Sequence, residues 1–347
     1  MFMKKKMKIF IWICFLFIFN QSVVANIIGN DSLITIKYGI FLKKISPDFK
    51  EGKFNAEFYW WVIFQNDSTK TGVSNEEILN LEYVNGFECE IGGVINEIQE
   101  KKELSPNLFY YTGFHQGTFY FNPDFKMYPF DIQTLNISVE NSLLSINKLR
   151  FIPDSGSYLL SNQKKNNWGL SYDIINNNNA NYKFFKTEIT SGIGIYNSNF
   201  GDPTFEPQSK YGRIIISVFI NRSFAPYISK LLIPLMIILL LVYFVFFLPP
   251  EKIDISAGLT VTSLLSAIAF QLAVSGELPE IGYIIYIDKI FYTCYFLIAI
   301  GLAQSLITFY LDDSGDEKKK KLAVNLDLLF RYLFPIIFIS SVILFAI

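Results

Sequence analysis

The 347-residue sequence has one histidine, three cysteines and almost no net charge. With His115 as the lone imidazole, a histidine metal cluster or a Ser-His-Asp machine has no material, and His115 reads as an ordinary strand or loop residue. Cys14 falls in a leader-like segment and Cys294 in a long apolar run, which leaves Cys89 alone. Neither a disulfide framework nor a Cys-rich metal site is available. Lys and Arg number 30 against 31 Asp and Glu, so the basic excess of a nucleic-acid binder is missing. Charged residues make up only 18%, below the ~25% of soluble domains. What is plentiful is apolar: 51% hydrophobic and 17% aromatic, concentrated in a few stretches. That distribution points to a membrane protein.

Residues 1–25 read as a secretory signal, with Lys4, Lys5, Lys6 and Lys8 before an apolar run from Ile9 to Phe19 and a small residue, Ala25, at the end. From 26 to 222 the pattern is β. Leu135, Ile137 and Val139 alternate with polar neighbours, as do Ile214, Ile216, Val218 and Ile220. Turn-forming clusters such as Ser46-Pro47-Asp48 and Asn122-Pro123-Asp124 separate the strands, which predicts an all-β sandwich. The Asn tract 176–179 reads as a long exposed loop.

After Arg222 four apolar stretches follow, at about 227–248, 253–274, 286–311 and 323–347, each expected to form a transmembrane helix in a four-helix bundle. The linker 312–321 carries four consecutive Lys, which places it in the cytoplasm, with the 26–222 domain and the C-terminus outside. On a helix, Asp254, Gly258, Thr262, Leu265, Ala269 and Leu272 fall within an arc of roughly 80°. Such a stripe of acidic, small and hydroxyl residues with a mid-membrane Leu suits the lining of a water-filled pore, Leu265 being the gate. Gly, Ala, Ser and Thr also serve plain helix packing, and periodicity leaves both readings open.

The run Met127-Tyr128-Pro129-Phe130-Asp131-Ile132-Gln133 resembles the FPFD-x-Q signature of pentameric ligand-gated ion channels, the Cys-loop receptor superfamily. Ser266-Ala267-Ile268-Ala269-Phe270 followed by Leu278-Pro279 is similar to the second span and following loop of a bacterial, proton-gated member. Leu232-Ile233-Pro234 resembles the first span, and Arg331-Tyr332-Leu333-Phe334-Pro335 the Arg-x-x-Phe-Pro element of the fourth. Phe121 and Leu135 stand where animal receptors carry the loop disulfide, as in bacterial members. The resemblance implies a homopentamer in the cell membrane, in contact with lipid. Monovalent cations would pass through it, and a small molecule or ion of unknown identity would open it from the extracellular domain. It implies neither cofactor, nor metal, nor catalysis.

By the same resemblance a ligand would sit between subunits, against Tyr196, Phe200, Phe205 and Tyr211 of a capping hairpin, Tyr59 and Trp61 of a facing strand, and Phe87. Asp202 and Glu206 of the hairpin would serve a cation or proton sensor. Asp131 and Arg222 would couple binding to the pore, joined by Asp48, and Asp254 with Glu251 would select cations. Asp327 and Arg331 read as a local i,i+4 pair. The family's Trp-x-Pro element is absent around 77–79, 140–146 holds no aromatic residue, and Ala267 replaces the membrane His of the proton-gated relative. A non-conducting membrane sensor that passes a signal to a partner protein is the alternative function.

Overall fold

The computed structural model describes residues 33–87, 98–154, 182–201, 208–276 and 278–345. The expected leader 1–25, Cys89, the Asn tract 176–179, Asp202, Phe205 and Glu206 lie outside the described residues.

Among the described residues ten strands form two sheets: β1 (Ile34–Asp48), β2 (Lys53–Gln65), β3 (Leu81–Tyr83), β4 (Gly86–Phe87), β5 (Ile98–Ser105), β6 (Leu108–Tyr120), β7 (Ile132–Asn141), β8 (Leu149–Pro153), β9 (Tyr182–Tyr196) and β10 (Ser209–Arg222). The six-stranded sheet runs β4-β6-β2-β1-β8, with β5 also on β6, and the four-stranded sheet runs β3-β7-β10-β9. Period-two alternation explains how they pack. Phe54, Phe58, Trp60, Val62 and Phe64 of β2 are buried between the sheets, facing Leu135, Ile137 and Val139 of β7 and Ile214, Ile216 and Val218 of β10 in one continuous core.

The helical region follows Arg222. Among the described residues three helices are long and apolar enough to cross a membrane, not the four expected. They are Pro250–Ser275, which contains α2 (Ile253–Ser275), then α3 (Tyr286–Asp313) and α4 (Glu317–Leu344). The first apolar stretch is broken instead. A helical turn Phe224–Tyr227 passes into a π-helix, Ile228–Leu232, before α1 (Ile233–Val245), so the apolar helix proper is the shorter Ser229–Val245. Pro234 accounts for this, because it has no N–H for the carbonyl four residues back, and a wider turn accommodates the lost bond. Pro249 and Pro250 then stop continuation beyond the end of α1.

The expected linker 312–321 is also corrected. α3 runs on to Asp313, and α4 starts at Glu317 behind Asp316, whose side chain caps Lys318 N–H. Gly315 turns between them at φ 70°. The four Lys therefore belong to the first turns of α4. Asp327 and Arg331 are close enough to interact electrostatically, and each also reaches another helix. Asp327 accepts from Gln304 of α3, while Arg331 donates to the Phe246 carbonyl at the end of α1 (3.0 Å) and lies over the Phe247 ring.

The two regions meet through the signature loop. Phe125 and Tyr128 are buried in the helical core with Leu235, Ile290 and Phe291. Tyr286 N–H donates to the Lys126 carbonyl (2.8 Å) and the Tyr283 hydroxyl accepts from Phe125 N–H (3.0 Å).

Candidate functional site

Three places carry side chains whose arrangement packing alone does not require. The first is the junction of sheets and helices. Arg222, the last residue of β10, has a side chain only 8% exposed, and its Nε donates to both oxygens of the buried Asp131 carboxylate at 2.8 and 3.0 Å. Gln133 Nε2 holds the same carboxylate at 2.5 Å, and Arg222 Nη1 donates to the Tyr227 hydroxyl. Its guanidinium lies over Phe49 (4.2 Å), Tyr128 (5.2 Å) and Phe125 (5.7 Å). Burial works against that charge, but Asp131 and Tyr227 outweigh it and hold the Arg222 pKa above its usual value. Asp48 is not part of this cluster. Its carboxylate accepts the N–H groups of Lys50 and Glu51 within its own exposed turn, and the next residue, Phe49, supplies the contact to Arg222.

The second place is α2. Asp254, Gly258, Thr262, Leu265, Ala269 and Leu272 are all exposed on one face, with Leu265 at 63% and Leu272 at 69%. The opposite face, Ser256, Thr260, Ser263 and Ala267, is buried against the bundle. At 100° per residue the two arcs are centred about 170° apart. Gly301 of α3 lets α1 come close, since a Cβ there would lie 2.9 Å from Val242, while Thr260 of α2 would be at an ordinary contact distance of 3.9 Å. The exposed stripe differs in kind from the other exposed helix faces. α1 presents Ile233, Met236, Ile237, Leu240 and Phe244, and α4 presents Val324, Leu328, Tyr332 and Ile336. Those are lipid-type surfaces, whereas the α2 stripe is mostly small, hydroxyl or acidic. Glu251 and Lys252 are exposed just before Asp254.

The third place is the outer face of the four-stranded sheet, and sequence reading missed its centre. Glu82, Glu140 and Arg213 are cross-strand neighbours on β3, β7 and β10. Glu140 is only 1% exposed, paired with Arg213 and accepting from the Tyr196 hydroxyl at 2.9 Å. Gly194 on β9 leaves the space the carboxylate fills, since a Cβ there would lie 1.9 Å from Glu140 Oε1. Tyr211 stands edge-on to Tyr196 at 5.8 Å, and Phe200, 62% exposed with φ 52°, lies 5.7 Å from Tyr196. Burial, with the Glu140 charge beside it, raises the Glu82 pKa, and burial and the same carboxylate raise those of Tyr196 and Tyr211.

The remaining expected ligand residues do not join this group within the chain. Tyr59 and Trp61 project from the other sheet. Trp61 is committed: its indole lies over Gly39, and its Nε1 donates to the buried Asp154 at 2.9 Å. Tyr59, 39% exposed, packs on Phe114. Phe87 pairs with Thr118 on β6, where Trp61 pairs with Thr112, so it sits about 20 Å further along the strands, under Lys53 and against Tyr120. His115 is buried among Phe58, Tyr83 and Phe119, and burial pushes its pKa down to about 4. Among the described residues, no group of three His, Cys, Asp or Glu side chains is placed to hold a metal ion.

No protein-family model matches the chain, and no curated protein matches it.

Proposed function

We propose that the chain is a subunit of a ligand-gated, cation-conducting channel, a homopentamer in the cell membrane with its β domain and C-terminus outside. The α2 stripe carries this reading. The packed face of α2 is Ser, Thr and Ala, and its open face sets Asp254, Gly258, Thr262 and Ala269 among the exposed Leu265 and Leu272, so that the polar positions of that face gain nothing from contact with lipid. Five copies around an axis would instead line a water path, with Asp254 at one mouth and Leu265 at a dewetting constriction. In this reading the broken first helix, with α3 and α4, surrounds the α2 ring. Glu251 would lie at the wider entrance, adding charge to the mouth.

The outer-face cluster is the place for an agonist. Glu82 and Glu140 against the single Arg213 leave a net negative charge beside Tyr196, Tyr211 and the projecting Phe200, a setting that favours a small cation. Tyr59, from a neighbouring subunit, would close the site. The Arg222–Asp131 pair then joins β10, which carries Arg213, to the signature loop, which packs on the helices.

Conduction is tested without knowing the agonist. A polar residue at the constriction lowers the cost of wetting, so purified Leu265→Ser protein in a planar bilayer is expected to show unitary currents with no ligand added. Silent membranes containing correctly assembled Leu265→Ser protein would favour the non-conducting sensor.

A further inference from the structure

The first half of β7 is an open sheet edge. β3 covers β7 only from Val139 to Asn141, and among the described residues no other strand lies along that side. Hydrogen-bond parity shows which groups this leaves bare. Ser138 turns its N–H and C=O away from β10, the first to Asn85 Oδ1 (3.0 Å) and the second to Val84 N–H (2.9 Å). Main-chain groups alternate sides along a strand, so those of Asn136 and Thr134 point the same way. Asn85 Nδ2 meets the Asn136 carbonyl at 2.7 Å, while Asn136 N–H and the N–H and C=O of Thr134 face a cleft of about 520 Å³. Tyr120, Phe121 and Asn122, at and just past the end of β6, form its other wall. We propose that this edge takes up a short extended peptide, which joins the four-stranded sheet as a strand beside β7.

Three observations commit the edge to that occupant. Its bare groups alternate donor and acceptor along one line, which a peptide backbone matches at the strand spacing of ~4.8 Å. The edge also lacks the protection that the other edges have. β9 carries Lys183, Lys186 and Glu188, β5 carries four charges at 100–103, and β8 carries Arg150 and Pro153, whereas 132–136 holds neither charge nor Pro. The surroundings then select the side chains. Thr134 and Asn136 stand on the outer face of the sheet, where hydroxyl side chains of an added strand would lie beside them. On the inner face the added side chains would point at the Tyr120 and Phe121 wall, which suits β-branched apolar residues. The occupant is therefore a peptide that alternates hydroxyl and apolar residues. Its uptake depends on the β domain alone and does not rest on the channel reading.

The probe is fluorophore-labelled Ac-Thr-Val-Thr-Val-Thr-NH₂, titrated into purified full-length protein in neutral-detergent micelles and followed by fluorescence anisotropy. Two further versions carry N-methyl groups, one on the Thr nitrogens and the other on the Val nitrogens. Only alternate N–H groups of an added strand face its neighbour, so one version should bind about tenfold more weakly and the other within about twofold of the parent. Thr134→Pro removes one of the two bare N–H groups without touching a bond to β10, a change that an edge strand tolerates. It should weaken the parent peptide about fivefold, and Thr134→Val, which keeps the N–H, should bind it as wild type does. Bound peptide should also slow hydrogen exchange at Thr134 and Asn136 but not at Leu135, whose N–H is turned to β10. No saturable binding of the parent peptide, equal binding of the two N-methylated versions, undiminished binding by Thr134→Pro, or exchange at Thr134 and Asn136 that the peptide leaves unchanged would overturn the proposal.

Discussion

Arg222 carries a full charge into a site from which water is almost excluded, and it survives there because Asp131 meets it with two bonds. Removing either partner strands the other. Arg222→Gln should lower stability by about 3–5 kcal/mol, and the double change with Asp131→Asn should cost clearly less than the two single changes together. Thermal unfolding of the four proteins measures this, and strict additivity would mean that the pair is not a unit. His115 gives a prediction of different sign and range. Its pKa falls from 6.5 to about 4 in the fold, so between those values the unfolded chain takes up a proton that the folded chain refuses. Stability should fall as pH drops from 6.5 towards 4, and His115→Phe should flatten that part of the melting-temperature profile. The pairing of Asp131 with Arg222 was legible through the resemblance alone, which matches both to positions that pair in that family, and the two side chains do meet here. Asp48 misled because a turn carboxylate satisfies its own backbone first. Glu140 was invisible as a buried group: it occupies an outward strand position, where a charge normally meets water. Only the missing Cβ of Gly194 and the cover of Tyr196 bury it.

The strands were readable from alternation alone, since one row of each must enter the core. Their outer rows were not, and Trp61 shows why. Its outward position looks open to a ligand, but Gly39 on the neighbouring strand lets the indole lie flat and reach Asp154. Gly39→Ala puts a methyl 2.2 Å from that ring, forcing Trp61 off its hydrogen bond, and should destabilise the β domain by about 1–3 kcal/mol. Denaturant unfolding followed by Trp fluorescence would register the change; an unshifted midpoint would mean that Trp61 is free to move. Among the helices, length and hydropathy located all four apolar stretches, but not the break in the first, where Pro234 and the π-helix intervene. The start of α4 was placed too late because four Lys read as a linker, while the Asp316 cap and Gly315 turn fix the helix ahead of them.

Taken as a single body, the chain places its acidic, aromatic cluster on one sheet, its ion-pair cage at the junction, and an open polar stripe on α2. In the proposed reading, copies of α2 close around water with this stripe facing it. Five Asp254 carboxylates would then converge at a narrow, weakly hydrated mouth, where their field favours cations and repels anions. Glu251, at the wider entrance, would be screened by salt over ~8 Å at physiological ionic strength. The decisive measurement is the reversal potential of Leu265→Ser channels in a planar bilayer under a KCl gradient, with Asp254 intact, changed to Asn and changed to Lys. The intact ring should hold the reversal potential near the potassium equilibrium value, Asp254→Asn should move it part of the way towards zero, and Asp254→Lys should carry it towards the chloride value, while Glu251→Gln has a smaller effect. A reversal potential that Asp254→Lys leaves in place, or a parent channel that already prefers chloride, would contradict a cation pore lined by α2.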